Sequence, residues 1–302
     1  MNYSIPSFFT KLTLAATVAT ALVSCEEPEY PAAKPETTPT TLTGRYLVVN
    51  AAPGAGDAQL KSVDNTALTT LPAPVSYLAQ SAYASITAGQ RLLLFSTATN
   101  LNNNLIGARN GFNSNSSYTV FLTDLPTRAS SATDQGGVRS VVLSDNLAAP
   151  ASGRARVRFI NLSPSYSSGA DSLGLFTITS PISATPPVPP ANVIALPNRY
   201  MFAPIGRSYR TTTFTIPAVL ATATTPARAS RTLNFANFTD IPAGAYSFQV
   251  RRSDKITNNA SQVIIPTTAL TFASGKIYTI YSRGTNAANS ATPLGLSTVL
   301  HN

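Results

Sequence analysis

The only histidine, His301, stands one residue from the last position of a 302-residue chain. A Ser-His-Asp arrangement or a zinc site needs convergent ligands held in place. A group on a free chain end, which is usually disordered, does not supply them, so neither a metal site nor a histidine-based catalyst is expected. Carboxylates have a stronger claim, because glycosidases need two facing acids at a fixed separation. Beyond residue 43 the chain offers Asp57, Asp64, Asp124, Asp134, Asp145, Asp171, Asp240 and Asp254, and no glutamate. Asp57 and Asp171 stand at matching places in two similar halves, which fits one turn-capping role used twice, with a calcium or glycan contact as the competing use. No glycine-rich phosphate loop or dinucleotide fingerprint follows a strand pattern. The residues therefore point away from an enzyme, with no catalytic group and no cofactor expected.

Binding chemistry is better represented. Arg199, Tyr200, Arg207, Tyr209 and Arg210 cluster in sequence near Phe202, and an exposed tyrosine beside an arginine can stack on a sugar while the guanidinium meets an acid group. These five are the candidate ligand contacts. The competing use of the same aromatics is a local core for an enlarged loop, and the absence of tryptophan weakens the sugar reading.

Cys25 is the one cysteine, which excludes intramolecular disulfides. It follows a short start carrying Lys11 and an uncharged run from Leu12 to Ser24, too brief for a permanent transmembrane helix and laid out as a secretory signal. Leu22-Val23-Ser24-Cys25 resembles the lipobox of bacterial lipoproteins. That resemblance implies cleavage before Cys25, diacylglyceryl transfer to its thiol and acylation of the new amino terminus. Two or three acyl chains hold a protein firmly where one gives only reversible attachment. Prolines at 28, 31, 35 and 39 then favour an extended tether to about Thr43. The acidic Glu26-Glu27 resembles the surface-export signal of Bacteroidetes lipoproteins. The expected location is the outer membrane, on its surface or periplasmic face.

Charge is uneven along the chain. Residues 25–149 carry 7 Lys/Arg and 9 Asp/Glu, and residues 150–302 carry 13 and 3. An exported chain without a helical basic stripe does not fit nucleic-acid binding. Arg154, Arg156 and Arg158 alternate with Ala155, Val157 and Phe159, which places the arginines on the wet face of a strand whose other face is core. An acidic glycan or the acidic face of an envelope protein would suit them as a partner. The oligomeric state is not readable.

These side chains must be positioned by strands. Past residue 43 helical periodicity is scarce, and short β-branched and aromatic runs bounded by Gly, Pro, Asn or Asp recur: 45–50, 90–96, 117–123, 137–143, 155–161, 173–178, 211–216, 231–238, 245–251, 262–265 and 276–282. An internal repeat orders them. Gly44 to Pro53 and Arg154 to Pro164 each lead a strand into Asn-x-x-Pro; Ala88-Gly89 matches Ala243-Gly244; Ser117 to Phe121 matches Ile277 to Tyr281. The interval from Asn50 to Gly89 is 39 residues and that from Asn161 to Gly244 is 83, so copy two holds an insertion, expected near 180–230, where Pro186-Pro-Val-Pro-Pro190 forbids a central strand. The expected organisation is a signal peptide (1–24), a tether (25–43) and two β-sandwich domains (44–149 and 150–302).

The landmarks Ala155 to Pro164 with Asp171, Pro242-Ala-Gly244 and Gly275 to Tyr281, with their weaker counterparts in copy one, resemble the domain-of-unknown-function family 4397 (DUF4397), found in tandem in exported proteins and lipoproteins of Bacteroidetes. The resemblance implies an all-β, immunoglobulin-like or related sandwich fold and carries no catalytic residues with it. The expected role is a noncatalytic envelope lipoprotein that binds or positions another macromolecule, with a carbohydrate-binding or adhesion module and a structural spacer as alternatives.

Overall fold

An alternating strand in a sandwich ordinarily faces core on one side and water on the other. The central strands here do not: the computed structural model buries both faces of them. It describes residues 41–132, 135–166, 172–178, 193–195, 207–216, 218, 220–221, 226–253 and 260–302. Cys25, the signal and tether, Arg199, Tyr200 and the proline run at 186–190 lie outside these residues.

The first half contributes β1 (Thr43–Asn50), β2 (Ala58–Val63), β3 (Thr66–Ala67), β4 (Ala84–Thr87), β5 (Gly89–Thr97), β6 (Asn100–Phe112), β7 (Ser117–Thr123) and β8 (Arg139–Asp145). The second contributes β9 (Arg154–Asn161), β10 (Ser172–Ile178), β11 (Val193–Ala195), β12 (Arg207–Ser208), β13 (Thr213–Ile216), β14 (Arg231–Asn234), β15 (Thr239–Pro242), β16 (Gly244–Ser253), β17 (Ala260–Phe272), β18 (Ile277–Arg283) and β19 (Gly295–Leu300). One short 3-10 turn, Pro164–Tyr166, is the sole helical element among the described residues. The fold is all-β.

Both halves repeat one topology. An inner sheet runs β4-β1-β7-β8 in the first and β15-β9-β18-β19 in the second, and an outer sheet runs β3-β2-β5-β6 and β11-β10-β16-β17. In each inner sheet the two central strands are parallel, β1 to β7 and β9 to β18. The likeness extends to single contacts. Tyr118 packs edge-on against Phe112 at 5.1 Å, and its hydroxyl accepts from Asn113 N at 2.8 Å. Tyr278 packs the same way on Phe272 at 5.0 Å, and its hydroxyl accepts from Ala273 N at 3.2 Å. Asn50 and Asn161, which open the two Asn-x-x-Pro turns, are both buried, and each side-chain oxygen accepts from the backbone N–H two residues on.

Successive side chains of a strand point to opposite faces, and three cores follow from this. Tyr46, Val48, Tyr118, Val120 and Leu122 join Leu60, Leu93 and Phe95 between the first pair of sheets. Val157, Phe159 and Ile280 join Leu173, Phe248 and Phe272 between the second pair. The remaining faces of the two inner sheets meet each other: Leu47, Val49, Phe121, Val141 and Leu143 pack on Ile160, Leu162, Tyr281 and Val299. Thr41–Asn302 thus form one compact unit of four sheet layers with a seam in the middle.

The seam corrects one expectation. Arg158 is fully buried rather than wet, because its strand face is covered by the other half. Arg154 and Arg156 are half-buried: Arg156 pairs with Asp240 at 3.0 Å and donates to Ala148 O at 2.8 Å, and Arg154 donates to Asp240 O at 3.0 Å.

Candidate functional site

The polar side chains that converge most closely lie in the seam. The inner sheets bring Thr119 from β7, Asp145 from the end of β8, Arg158 from β9 and Thr279 from β18 to one place. Tyr83, just before β4, and His301, just after β19, complete the cluster. Arg158 Nη2 meets Asp145 Oδ1 at 2.5 Å. Its Nε donates to Thr279 Oγ1 at 2.7 Å, and Nη1 donates to Ser144 O at 2.9 Å and Ala236 O at 3.0 Å. The other carboxylate oxygen of Asp145 accepts from Thr119 Oγ1 and from the Tyr83 hydroxyl, each at 2.8 Å.

These bonds set the histidine tautomer. Tyr83 has one hydroxyl proton and gives it to Asp145, so its oxygen accepts from His301 Nδ1–H at 3.1 Å. His301 Nε2 is then bare and accepts the Thr279 hydroxyl proton at 2.8 Å. Phe238 closes the cluster, lying under the Arg158 guanidinium at 4.2 Å and edge-on to His301 at 5.5 Å. Burial drives the imidazole down to about 4, with Arg158 adding to the shift and Asp145 opposing it. Burial and then the Asp145 charge push the Tyr83 hydroxyl upward. Desolvation lowers Arg158, and Asp145 pulls it back. At neutral pH the network holds one Arg–Asp pair and a neutral histidine.

A hydroxyl on a histidine whose other nitrogen is relayed toward a carboxylate has the parts list of a nucleophile and its base. The arrangement differs in accessibility: Arg158 and Thr279 are fully buried, and the side chains of Asp145 and His301 have no exposed surface. No substrate atom reaches Thr279 without parting the sheets. His301 is therefore an ordered seam residue, contrary to the expectation of a disordered end; β19 ahead of it sends Leu296 into the second core and Val299 into the seam.

Among the described residues the aspartates pair with separate arginines and not with one another. Asp64 binds Arg91 at 2.8 Å, Asp124 binds Arg128 at 2.6 Å, and Asp145 and Asp240 have the arginines named above. Asp57 is exposed, and Asp134, Asp171 and Asp254 lie outside the described residues. Among the described residues no group of His, Cys, Asp or Glu could hold a metal ion.

Of the five candidate ligand contacts, Arg207 takes part in β12 through its backbone, paired with Leu173. Tyr209 is buried, at 8% exposure, so its ring packs inside and does not present a sugar platform. Arg210 takes a left-handed backbone, φ 55°, donates its N–H to Asn161 O at 2.9 Å and lays its guanidinium 4.8 Å from the Tyr209 ring centre. Tyr209, Arg210 and Thr212 share a shallow polar pocket of about 430 Å³ with Ser140, Val141 and Val142 of the first half.

Residues 46–168 match the model of a family described as a domain of unknown function, DUF4397. No functionally curated protein matches the chain. Among solved structures, a protein from Bacteroides eggerthii titled a "putative cell adhesion protein" is 11% identical, with 86% of this chain and 96% of that one covered and a TM-score of 0.19. A leucine-rich repeat protein from Bacteroides thetaiotaomicron is 10% identical, with 83% of this chain but 27% of that one covered and a TM-score of 0.16. At these scores neither likeness bears on function.

Proposed function

We propose that this chain, which carries a DUF4397 domain over residues 46–168, is a noncatalytic lipoprotein of the cell envelope that binds or positions another macromolecule. The observation that supports it is the sealed seam. In the best-assembled set of reactive side chains, Thr279, Arg158, Asp145 and His301 expose no side-chain surface and Tyr83 is half-buried at the edge, and the set ties the two halves into a fixed relation. A rigid double sandwich behind a tether suits presentation of a surface at a set distance from a membrane. The lipobox-like Leu22 to Cys25 supplies the anchor in this reading, with lipid on Cys25 and the outer membrane as its location.

Fractionation without detergent tests the anchor. The native chain pellets with membranes and Cys25→Ala is released; a Cys25→Ala protein that still pellets, although it is soluble when purified, refutes lipid attachment. Chemical cross-linking on intact envelopes then tests the role, with discrete cross-linked partners expected.

A second reading, an acidic-glycan module, is favoured by one observation: Arg210, Thr212 and Ser140 line a polar pocket shared by the two halves. Salt-sensitive binding of the full chain to acidic glycans that Arg210→Gln abolishes would support it, and binding that survives Arg210→Gln would remove it.

A further inference from the structure

The first half holds a cleft that neither reading uses. The chain from Pro72 to Tyr83 forms a strap across the open side of the sandwich. It leaves the outer sheet where Val75 and Ala58 exchange backbone hydrogen bonds at 2.8 and 2.9 Å. It reaches the inner sheet where Leu78 N donates to Asn50 O at 2.7 Å and Ser81 N donates to Val48 O at 2.9 Å. Leu78 sits at φ 66°, which a bulky side chain rarely adopts, so these bonds dictate the path of the strap. Beneath it lies a cavity of about 380 Å³ lined by Tyr46, Val48, Leu60, Val75 and Phe95. Pro72, Ala73, Pro74, Ala79, Ala82 and Ala84 form an exposed rim of small residues. Pockets for small ligands span about 300–1,000 Å³ and are mainly apolar.

The lining selects the ligand. None of its residues carries a charge, so a charged group would be desolvated without a counterion. The polar side chains that the strap adds to this lining are already engaged. The Gln80 amide donates to Leu300 O at 2.8 Å and accepts from Leu300 N at 3.3 Å. Ser81 Oγ accepts from Val48 N at 2.9 Å and donates to Ala82 O at 2.8 Å. The Tyr83 hydroxyl is committed to the seam. A sugar, with hydroxyls all round its ring, would lose its hydration with only the Tyr46 hydroxyl of the lining side chains left to bond it. A peptide laid along the strap would meet backbone groups at Val75, Leu78 and Ser81 that already bond within the fold. What remains is a ligand that gains chiefly from burial and needs at most one hydrogen bond. We propose that the cleft beneath the Pro72–Tyr83 strap binds an aliphatic hydrocarbon chain.

The test is calorimetric titration of the full chain, as Cys25→Ala, with hexanol, octanol and decanol below their solubility limits. One saturable site is expected, tightening about fourfold per added methylene until the cleft is full. Ala84 pairs with Tyr46 across β4 and β1, so its side chain shares the cleft face, and Ala84→Phe should weaken decanol binding at least tenfold. Ser85, paired with Arg45 on the opposite face, serves as the control: Ser85→Phe should leave binding unchanged, with both variants keeping the parent unfolding midpoint. Absence of saturable binding, affinity independent of chain length, or equal loss in both variants overturns the proposal. Sedimentation with phosphatidylcholine vesicles separates the sources, since pelleting assigns the chain to a bilayer lipid and alcohol binding without pelleting assigns it to a free hydrocarbon.

Discussion

Replacing Arg158 with methionine removes the cation at the centre of the seam and keeps most of the side-chain volume. Asp145 then stays buried without its partner, while Ser144 O and Ala236 O each lose the guanidinium donor they share. Breaking a buried ion pair from one side costs about 3–5 kcal/mol, and a buried acceptor left unsatisfied costs about 1–3 kcal/mol. Thr119 and Tyr83 still donate to the carboxylate and relieve part of the penalty. The expected net loss is therefore at the lower figure, about 3–5 kcal/mol. At about 2–4 °C per kcal/mol for a unit of this size, the unfolding midpoint should fall by about 6–20 °C. Asp145→Asn tests the same contact from the other side. It keeps one acceptor for Thr119 or Tyr83 and leaves Arg158 facing a neutral amide. The double variant should cost less than the sum of the two singles by at least about 2 kcal/mol, because the second change removes a charge already stranded by the first. Urea unfolding of the full chain as Cys25→Ala, followed by circular dichroism, gives all four corners of the cycle. Strict additivity, or a loss below about 1 kcal/mol for Arg158→Met, would refute the assignment of the seam as a coupled buried network.

His301 adds a pH dependence whose sign is fixed by its environment. Its folded pKa is depressed from 6.5 to about 4, so the unfolded chain binds the proton first: the stabilisation is complete above pH 6.5 and is lost as pH falls toward 4, by about 3 kcal/mol in all. Denaturant titrations at pH 7, 5.5 and 4 should show that slope, and His301→Gln should remove it; an unchanged slope in the variant would place the titration elsewhere. The matched tyrosines give a third prediction. Tyr118→Phe and Tyr278→Phe each delete one hydroxyl that accepts from a backbone N–H and keep the ring contacts, so each should cost about 0.5–1.5 kcal/mol. The Tyr118 change should cost more, because its bond is shorter and its side chain more buried; the reverse order in parallel urea curves would contradict this.

The strands were legible where apolar residues alternate. Ser117–Thr123 coincides with its sequence reading, and β1, β5, β9, β10 and β18 differ from theirs by a few residues at most. β6 was missed because its sequence, with Asn100, Asn102, Asn103 and Asn104 in its first five positions, argues against a strand on propensity. It forms as an edge strand, mostly exposed at that end, and pairs with β5 over most of its length. The four layers were missed for a different reason. Leu47-Val48-Val49 and Val120-Phe121-Leu122 are continuous apolar runs, the pattern of strands buried on both faces, and the alternation around Arg158 was read against a single core. With one core, a charge in phase opposite to Val157 and Phe159 belongs in water; with two, it belongs in the seam. Of the candidate ligand residues, adjacency in sequence grouped Arg210 with Tyr209 and left two uses of the ring open, a sugar platform or a local core, and its burial favours the second.

A seam between two sheets with alternating apolar residues has little intrinsic register. Sliding one sheet by two residues along a strand returns every side chain to the same face, so Leu47, Val49, Phe121, Ile160 and Val299 alone would tolerate neighbouring alignments. The polar cluster does not. Arg158 must find Asp145, Thr279, Ser144 O and Ala236 O together, and a displacement of one residue pair, about 6.6 Å, strands both charges in an apolar layer. The cost of that misalignment is the same several kcal/mol that the Arg158 variant exposes. Residues with the chemistry of a catalytic relay are thereby used to fix geometry. The groove beside Arg210, built from both halves, is a surface whose shape depends on that register; if the seam variants fold yet lose any ligand found there, alignment is the property through which the buried cluster reaches function.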